Sequence, residues 1–251
     1  MKKVKVAIVC TSFTIGGAEN MVAQLIVNID KENIRIYPIL TSARCENHLQ
    51  ALVDDTGIDC IYLLDKKKKN AIDKIKIMSS MWKCLKKIKP DIIHTNLSSV
   101  IYTIPYVIFH RVKLIHTVHN VPDKDLLPVM ICILRFLIRL GKCRLISIST
   151  TIQSMICKTY NVTSDVAPII YNPVDVGKFA STKRKRQDDN IVITNIGRLS
   201  QQKNQTMLLY AFANALKRID NIRLQIVGEG ELKEELIAKT KVLGISNYVD
   251  F

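Results

Sequence analysis

Four sets of residues in this chain have types and spacings that could do chemistry. Gly16 and Gly17 stand before a helical pattern, where glycine lets backbone approach a ligand closely and the helix start offers free N–H groups to an anion. Their context, Gly16-Gly17-Ala18-Glu19, is not the Gly-x-Gly-x-x-Gly of dinucleotide binding, and a Gly-Gly turn is as often structural. Further on, Arg198 and Lys203 stand five apart in the run Asn195 to Asn204. A planar guanidinium and a point-charge ammonium at a strand's carboxyl end suit a diphosphate, although exposed cations are equally often plain solvated surface. Gly228 and Gly230 permit a tight reversal between strand and helix. Among the histidines, His94 follows an apolar run and His119 closes another, which predicts both at a ligand-binding edge, whereas His116 within the second run reads as a packing or hydrogen-bonding group. Asn172-Pro173-Val174-Asp175 reads as a turn whose side chains bond nearby backbone.

The elements that must position these residues alternate. Short apolar runs over 5–10, 34–40, 59–64, 91–94, 114–118, 145–149 and 169–171 predict strands. Met21, Val22, Leu25, Ile26 and Ile29 recur at helical spacing, and residues 71–87 predict a second helix. Such alternation predicts an α/β chain with a parallel sheet covered on both faces. A polar stretch, residues 181–190, has almost no apolar content and reads as linker; strands over 191–196, 222–227 and 248–251 then alternate with helices over 205–217 and 231–241. The domains predicted are 1–178, a linker at 179–190, and 191–251.

Lys and Arg total 37 against 22 acids, a formal charge of +15 that attracts phosphates, acidic headgroups or nucleic acid without choosing among them. Nucleic acid is the weakest partner, because the cations are not interleaved with aromatics for base stacking. The seven scattered cysteines include no Cys-x-x-Cys pair; Cys10, Cys60 and Cys132 read as small core residues in a reducing compartment. The apolar run after Lys2 and Lys3 is too short for a signal peptide and reads as a strand. Residues 126–140 form the most apolar stretch, yet they are too few and, with Arg135 and Arg139, too charged to span a membrane. Burial against the sheet is expected there, with contact at a membrane surface as the alternative.

Taken in order, Gly16-Gly17-Ala18-Glu19, Asp91-Ile92-Ile93-His94, His119, the 145–149 strand, Asn172-Pro173-Val174-Asp175, Gly197-Arg198-Leu199 with Lys203-Asn204, and Val227-Gly228-Glu229-Gly230 resemble the landmarks of family 4 retaining glycosyltransferases with the GT-B fold. The resemblance implies two Rossmann-like domains facing across a cleft, an N-terminal one holding acceptor and a C-terminal one holding a nucleotide sugar. It implies that Arg198 and Lys203 neutralise the donor diphosphate, that Gly16, Gly17, Gly228 and Gly230 lie on the donor side, and that His119 sits near the reacting sugar. Glu19, His94 and Asn120 fall on the acceptor side. No metal or other cofactor is expected, because side chains supply the cations. The partners implied are a nucleotide-sugar donor, a glycan or lipid-linked acceptor and an acidic membrane surface, with a cytoplasmic location at the inner face of the cell membrane. The family's Glu-x7-Glu donor segment would fall beyond Phe251, so the second domain is expected to be incomplete and transfer by this chain weak; a catalytically inactive truncated remnant is the competing reading.

Overall fold

Strand β1 (Val4–Cys10) shows how the first sheet is built. Successive side chains point to opposite faces, and both faces are covered: Ala7 and Val9 enter one apolar cluster, Ile8 and Cys10 another. The computed structural model describes residues 3–66, 70–122, 126–174, 176–177 and 191–251. They fall into two units, Met1–Asp175 and Val176–Phe251. The predicted linker at 179–190 lies outside the described residues, as do Lys67, Lys68, Lys69 and Asp175.

In the first unit β1 is followed by α1 (Gly17–Val27), β2 (Ile34–Leu40), α2 (His48–Asp54), β3 (Ile61–Tyr62), α3 (Ala71–Ile88) and β4 (Ile92–Asn96). Then come α4 (Ile104–Phe109), β5 (Lys113–Val118), α5 (Pro128–Arg139), β6 (Cys143–Ser147) and α6 (Thr150–Tyr160). The six strands are parallel in the order β3-β2-β1-β4-β5-β6. The chain winds outward from β1 to β3, then returns to place β4 on β1's other side. In such sheets the carboxyl ends of the two strands flanking the reversal open a crevice for ligands. The loop of Gly16 and Gly17 leaves β1, and Asn96 ends β4, so the topology brings both to that edge.

The second unit has β7 (Ile191–Ile196), α7 (Gln205–Ala215), β8 (Ile222–Val227), α8 (Lys233–Val242) and β9 (Val249–Asp250), with the parallel order β7-β8-β9. Leu209, Phe212 and Leu236 pack on Ile222, Leu224 and Ile226 to form its core. Among the described residues this Rossmann-like sheet has three strands against the first unit's six, and Val192, Ile196 and Val227 stand exposed on it.

Several expectations are corrected. The run 169–171 is no strand: Ile169 makes a single bridge to Ser147, and Ile170 and Tyr171 are exposed. β3 shrinks to two residues, since the ladder with β2 covers Ile61 and Tyr62 and ends where Leu63 N–H donates to Leu40 O at 2.8 Å. His94 does not follow β4 but sits within it, because Thr95 and Asn96 go on pairing with β5. Cys132 is exposed on α5, whereas Cys10 is buried. α5, by contrast, packs against the sheet as expected: Leu134 and Leu137 are buried in the cluster of Leu114 and Leu145, with Met130, Ile131, Ile133 and Ile138 packed on it, while Val129 and Phe136 stay outside.

Candidate functional site

The two units are taken in turn. In the first, alternation along β4 and β5 sorts the histidines by face. His94, Asn96, Thr117 and His119 share one face, and Thr95 and His116 the other. The hydrogen bonds agree: His94 Nε2 lies 2.8 Å from Thr117 Oγ1, and His116 Nδ1 lies 3.0 Å from Thr95 Oγ1. His94, placed on the acceptor side by resemblance, is therefore occupied within the sheet. His119 stands one residue past β5, and its Nε2 is 3.1 Å from Asn96 Oδ1. Burial is the main reason all three rings stay neutral: it pushes His94 and His119 down to about 4 and His116 to about 3, with mutual repulsion lowering His94 and His116 further.

At the start of α1, Gly16 is the N-cap, with extended backbone that any residue adopts, and Glu19 lies in the first turn. Thr14 donates to Glu19 Oε1 at 3.1 Å, and the Glu19 carboxylate covers Gly16. That helix start already has an anion of its own, so an incoming phosphate requires Glu19 to turn aside. A side chain at Gly17, by contrast, would meet nothing within 4 Å. Asn120 is exposed beside His119.

In the second unit Gly228 and Gly230 have a defined job. A Cβ on Gly228, whose φ is +151°, would collide with the Gly197 carbonyl group; one on Gly230 would lie 2.6 Å from the carbonyl carbon of Leu199 and 2.7 Å from its nitrogen. The bare backbones let two loops join: Gly197 N–H donates to Val227 O at 2.9 Å and Leu199 N–H to Glu229 O at 3.0 Å. Gln205, buried at the start of α7, completes the clamp by donating to Arg198 O at 3.0 Å. Arg198 is thus fixed by its backbone while its side chain is 76% exposed, with Glu231 Oε2 at 3.8 Å from its Nε. Lys203 ends the turn of residues 201–203 and is also exposed. Among the proposed donor residues, Gly228 and Gly230 act as supports for the loop bearing Arg198.

This assigns different outcomes to different glycines. Gly228→Ala and Gly230→Ala should each destabilise the second unit by about 2 kcal/mol or more, through overpacking against backbone that has nowhere to go. Gly17→Ala should leave stability within about 1 kcal/mol, because a helix start with open space tolerates alanine. Urea unfolding of the three variants checks the contrast; a silent Gly230→Ala would mean that the loops do not lie this close.

Reading residues singly missed Asn96 and Gln205. Asn96 could have been found as the polar end of an otherwise apolar strand. Gln205 gave no signal, since its role depends on where α7 begins.

Family models match the chain in series: Glycosyltransferase Family 4 over residues 15–178 and Glycosyl transferases group 1 over residues 178–251. Solved structures of the GT-B kind share the fold. HepE of Anabaena, crystallised with UDP and glucose, superposes with a TM-score of 0.73 at 16% identity, covering 99% of this chain and 68% of that one. Sucrose-phosphate synthase of Thermosynechococcus elongatus gives 0.74 at 12%, covering 99% and 70%. A UDP-N-acetylglucosamine 2-epimerase of Listeria monocytogenes gives 0.66 at 13%, covering 100% and 69%, so the fold by itself does not choose a reaction. With the first family model covering more than half of it, the chain belongs to glycosyltransferase family 4. A glycosyltransferase of Methanocaldococcus jannaschii is 27% identical over 213 residues, 75% of this chain and 52% of that one. An α-1,4-N-acetyl-D-galactosaminyltransferase of Campylobacter jejuni, named for a glycan on PP-undecaprenol, is 37% identical over 84 residues, 33% of this chain and 23% of that one. The chain thus spans about half or less of these curated relatives.

Proposed function

We propose that the chain serves a glycosyltransferase that moves a sugar, with retention, from a nucleotide-sugar donor to a lipid-linked or polysaccharide acceptor in cell-surface glycan assembly. The observation that carries this reading is the loop after β7, where three backbone contacts fix Arg198 while its guanidinium stays in solvent. As the sugar leaves, charge builds on the diphosphate, and two nearby cations stabilise that state more than the ground state. In this reading Arg198 and Lys203 take the part a divalent cation plays elsewhere. Gly17 allows the donor close to α1, and Asn120 and Glu19 face the acceptor.

The test is incubation with a panel of nucleotide sugars, with and without an undecaprenyl-diphosphate glycan, followed by NMR of the sugar. Release of nucleoside diphosphate with a new α-linkage only when acceptor is present supports transfer. Interconversion of the donor sugar without acceptor would point instead to the epimerase chemistry that shares this fold. No change in any donor would sink the reading.

The acceptor chemistry also motivates a location at the inner face of the membrane. Among the described residues, no helix is long and apolar enough to cross a bilayer. Lys83, Lys86 and Lys87 of α3, and Lys89 just past its end, are instead exposed, while Phe109 of α4, 75% exposed, meets Trp82 edge-on. A cavity lined by Lys86, Lys89, His110 and Arg111 adjoins the same aromatic group. Cations beside exposed aromatic rings fit an acidic headgroup layer. Replacing Lys83, Lys86 and Lys89 by Gln should weaken binding to acidic vesicles on the order of 100-fold, at about 1 kcal/mol per lysine. Co-sedimentation indifferent to lipid charge would remove the membrane from the proposal.

A further inference from the structure

Two cavities of about 380 Å³ each follow one another along the groove between α3 and α4, and their linings have opposite character. The first is walled by Ile75, Met78, Ser79 and Trp82 of α3, with Tyr102 and Pro105 across from them. The second carries Lys86, Lys89 and Arg111 with one carboxylate, Asp91. An aromatic cluster divides them. Trp82 lines the first, Tyr106 and His110 line the second, and the Trp82 ring centroid lies 5.7 Å from that of Tyr106 and 5.3 Å from that of His110. Trp82 and Lys86 are also four apart on α3, so apolar wall and cation are neighbours on one helix face.

The cations of the second cavity are unspent. Helices α3 and α4 both end there, and a cation at a helix C-terminus ordinarily serves its unpaired carbonyls. Other lysines do that here: Lys5 Nζ donates to Ile88 O at 3.2 Å, and Lys142 Nζ to Val107 O at 3.1 Å and Ile108 O at 2.9 Å. Asp91 is engaged as well, its Oδ2 accepting from the Lys5 N–H at 2.8 Å. Among the described residues Lys86, Lys89 and Arg111 are left without an ion pair. The first cavity shows the converse, for Ser79 and Tyr102 bring the only polar side-chain atoms of its lining, and whatever fills it gains by leaving water. A soluble anion uses one cavity and an apolar side chain the other. An amphiphile with an anionic head uses both.

We propose that the α3–α4 groove binds one anionic membrane phospholipid, with an acyl chain in the cavity beside Trp82 and the phosphate among Lys86, Lys89 and Arg111. This goes beyond adsorption to a charged surface, because it makes a single lipid a stoichiometric ligand. That a bilayer presents the lipid rests on the membrane location proposed above; the two-part site does not.

Trp82 is the chain's one tryptophan and reports on the site directly. The test is its fluorescence in the whole chain, titrated with octyl phosphate, hexyl phosphate or glycerol phosphate, each kept monomeric. Octyl phosphate should shift the emission to the blue and saturate, binding roughly 10-fold tighter than hexyl phosphate because two more methylenes leave water. Glycerol phosphate, a head without a chain, should give no shift. Ser79→Phe, at an exposed position, should fill the slot and abolish the response. Arg111→Gln should weaken octyl phosphate about 5-fold and leave octanol unaffected. Vesicles of phosphatidylglycerol brominated along the acyl chain should quench Trp82 far more strongly in the native chain than in Ser79→Phe, although both sediment with them. Equal affinity for octyl and hexyl phosphate overturns the proposal, and so does emission that shifts with protein concentration alone, which would give the slot to a second copy. Should Ser79→Phe fail to fold, the chain-length series on the native protein still decides. Sedimentation without bromine quenching would sink this inference and spare the membrane location, no sedimentation would sink both, and quenching without sugar transfer would sink only the enzymatic reading.

Discussion

Arg198→Ala and Lys203→Ala should each lower the rate of sugar transfer by about 100-fold or more and leave the melting temperature unchanged. The two halves of this expectation have separate grounds. Removing one group that stabilises developing charge in a preorganised site lowers rates by about 100-fold to 1,000-fold. Stability is spared because both side chains lie in solvent, where substitutions stay within about 0.5 kcal/mol. The only ion pair near Arg198 among the described residues is the 3.8 Å approach of Glu231, which is exposed and contributes little. The loss should fall on kcat rather than KM, since the cations matter most once the diphosphate is leaving. Arg218→Ala, an exposed arginine on the same unit but outside the loop, is the control. Steady-state kinetics beside thermal melts separate the cases, and unchanged rates in both variants would dismiss the site.

Much of the fold was legible because its signals are local. β1 is a short β-branched run covered on both faces, and α3 announces itself through apolar spacing and a start at Asn70 and Asp73 that forms a reciprocal cap. What escaped depends on tertiary partners. α2 and α4 have seven and six residues, too short for a 3.6-residue period to stand out. The 169–171 run has strand-like composition but only one pairing to β6, so its outer residues stay in solvent. The site divides in the same way. The order of motifs indicated which loops matter, whereas the duties of Gly228 and Gly230 became clear only when the loop before them was seen against the Gly197–Leu199 backbone. Asn96 needed the register of β4 on β5, which brings it level with Thr117 and within reach of His119.

The register that builds this edge also predicts a steep loss of stability in mild acid. His94, His116 and His119 are held neutral by burial, down to about 4, 3 and 4, against an ordinary value near 6.5. Between those limits the unfolded chain binds up to three protons that the folded chain refuses, so stability rises with pH and falls on acidification. At full difference three such groups give a slope of about 4 kcal/mol per pH unit. Roughly one and a half units at that slope match the whole stability of an ordinary domain, so the first unit should unfold near pH 5. Carboxylates held below their usual range by hydrogen bonds, such as Asp30 and Asp73, lose their contribution only lower down, which keeps the two effects apart. All five histidines lie in the first unit, making the second an internal control over the same range. Replacing His116 by Asn, whose amide can still meet Thr95, should remove about a third of the slope and move the midpoint to lower pH. Urea titrations at pH 7, 6 and 5, read at Trp82 in the first unit, measure both; a flat profile from 7 to 5 would mean that these rings are not buried as neutral groups.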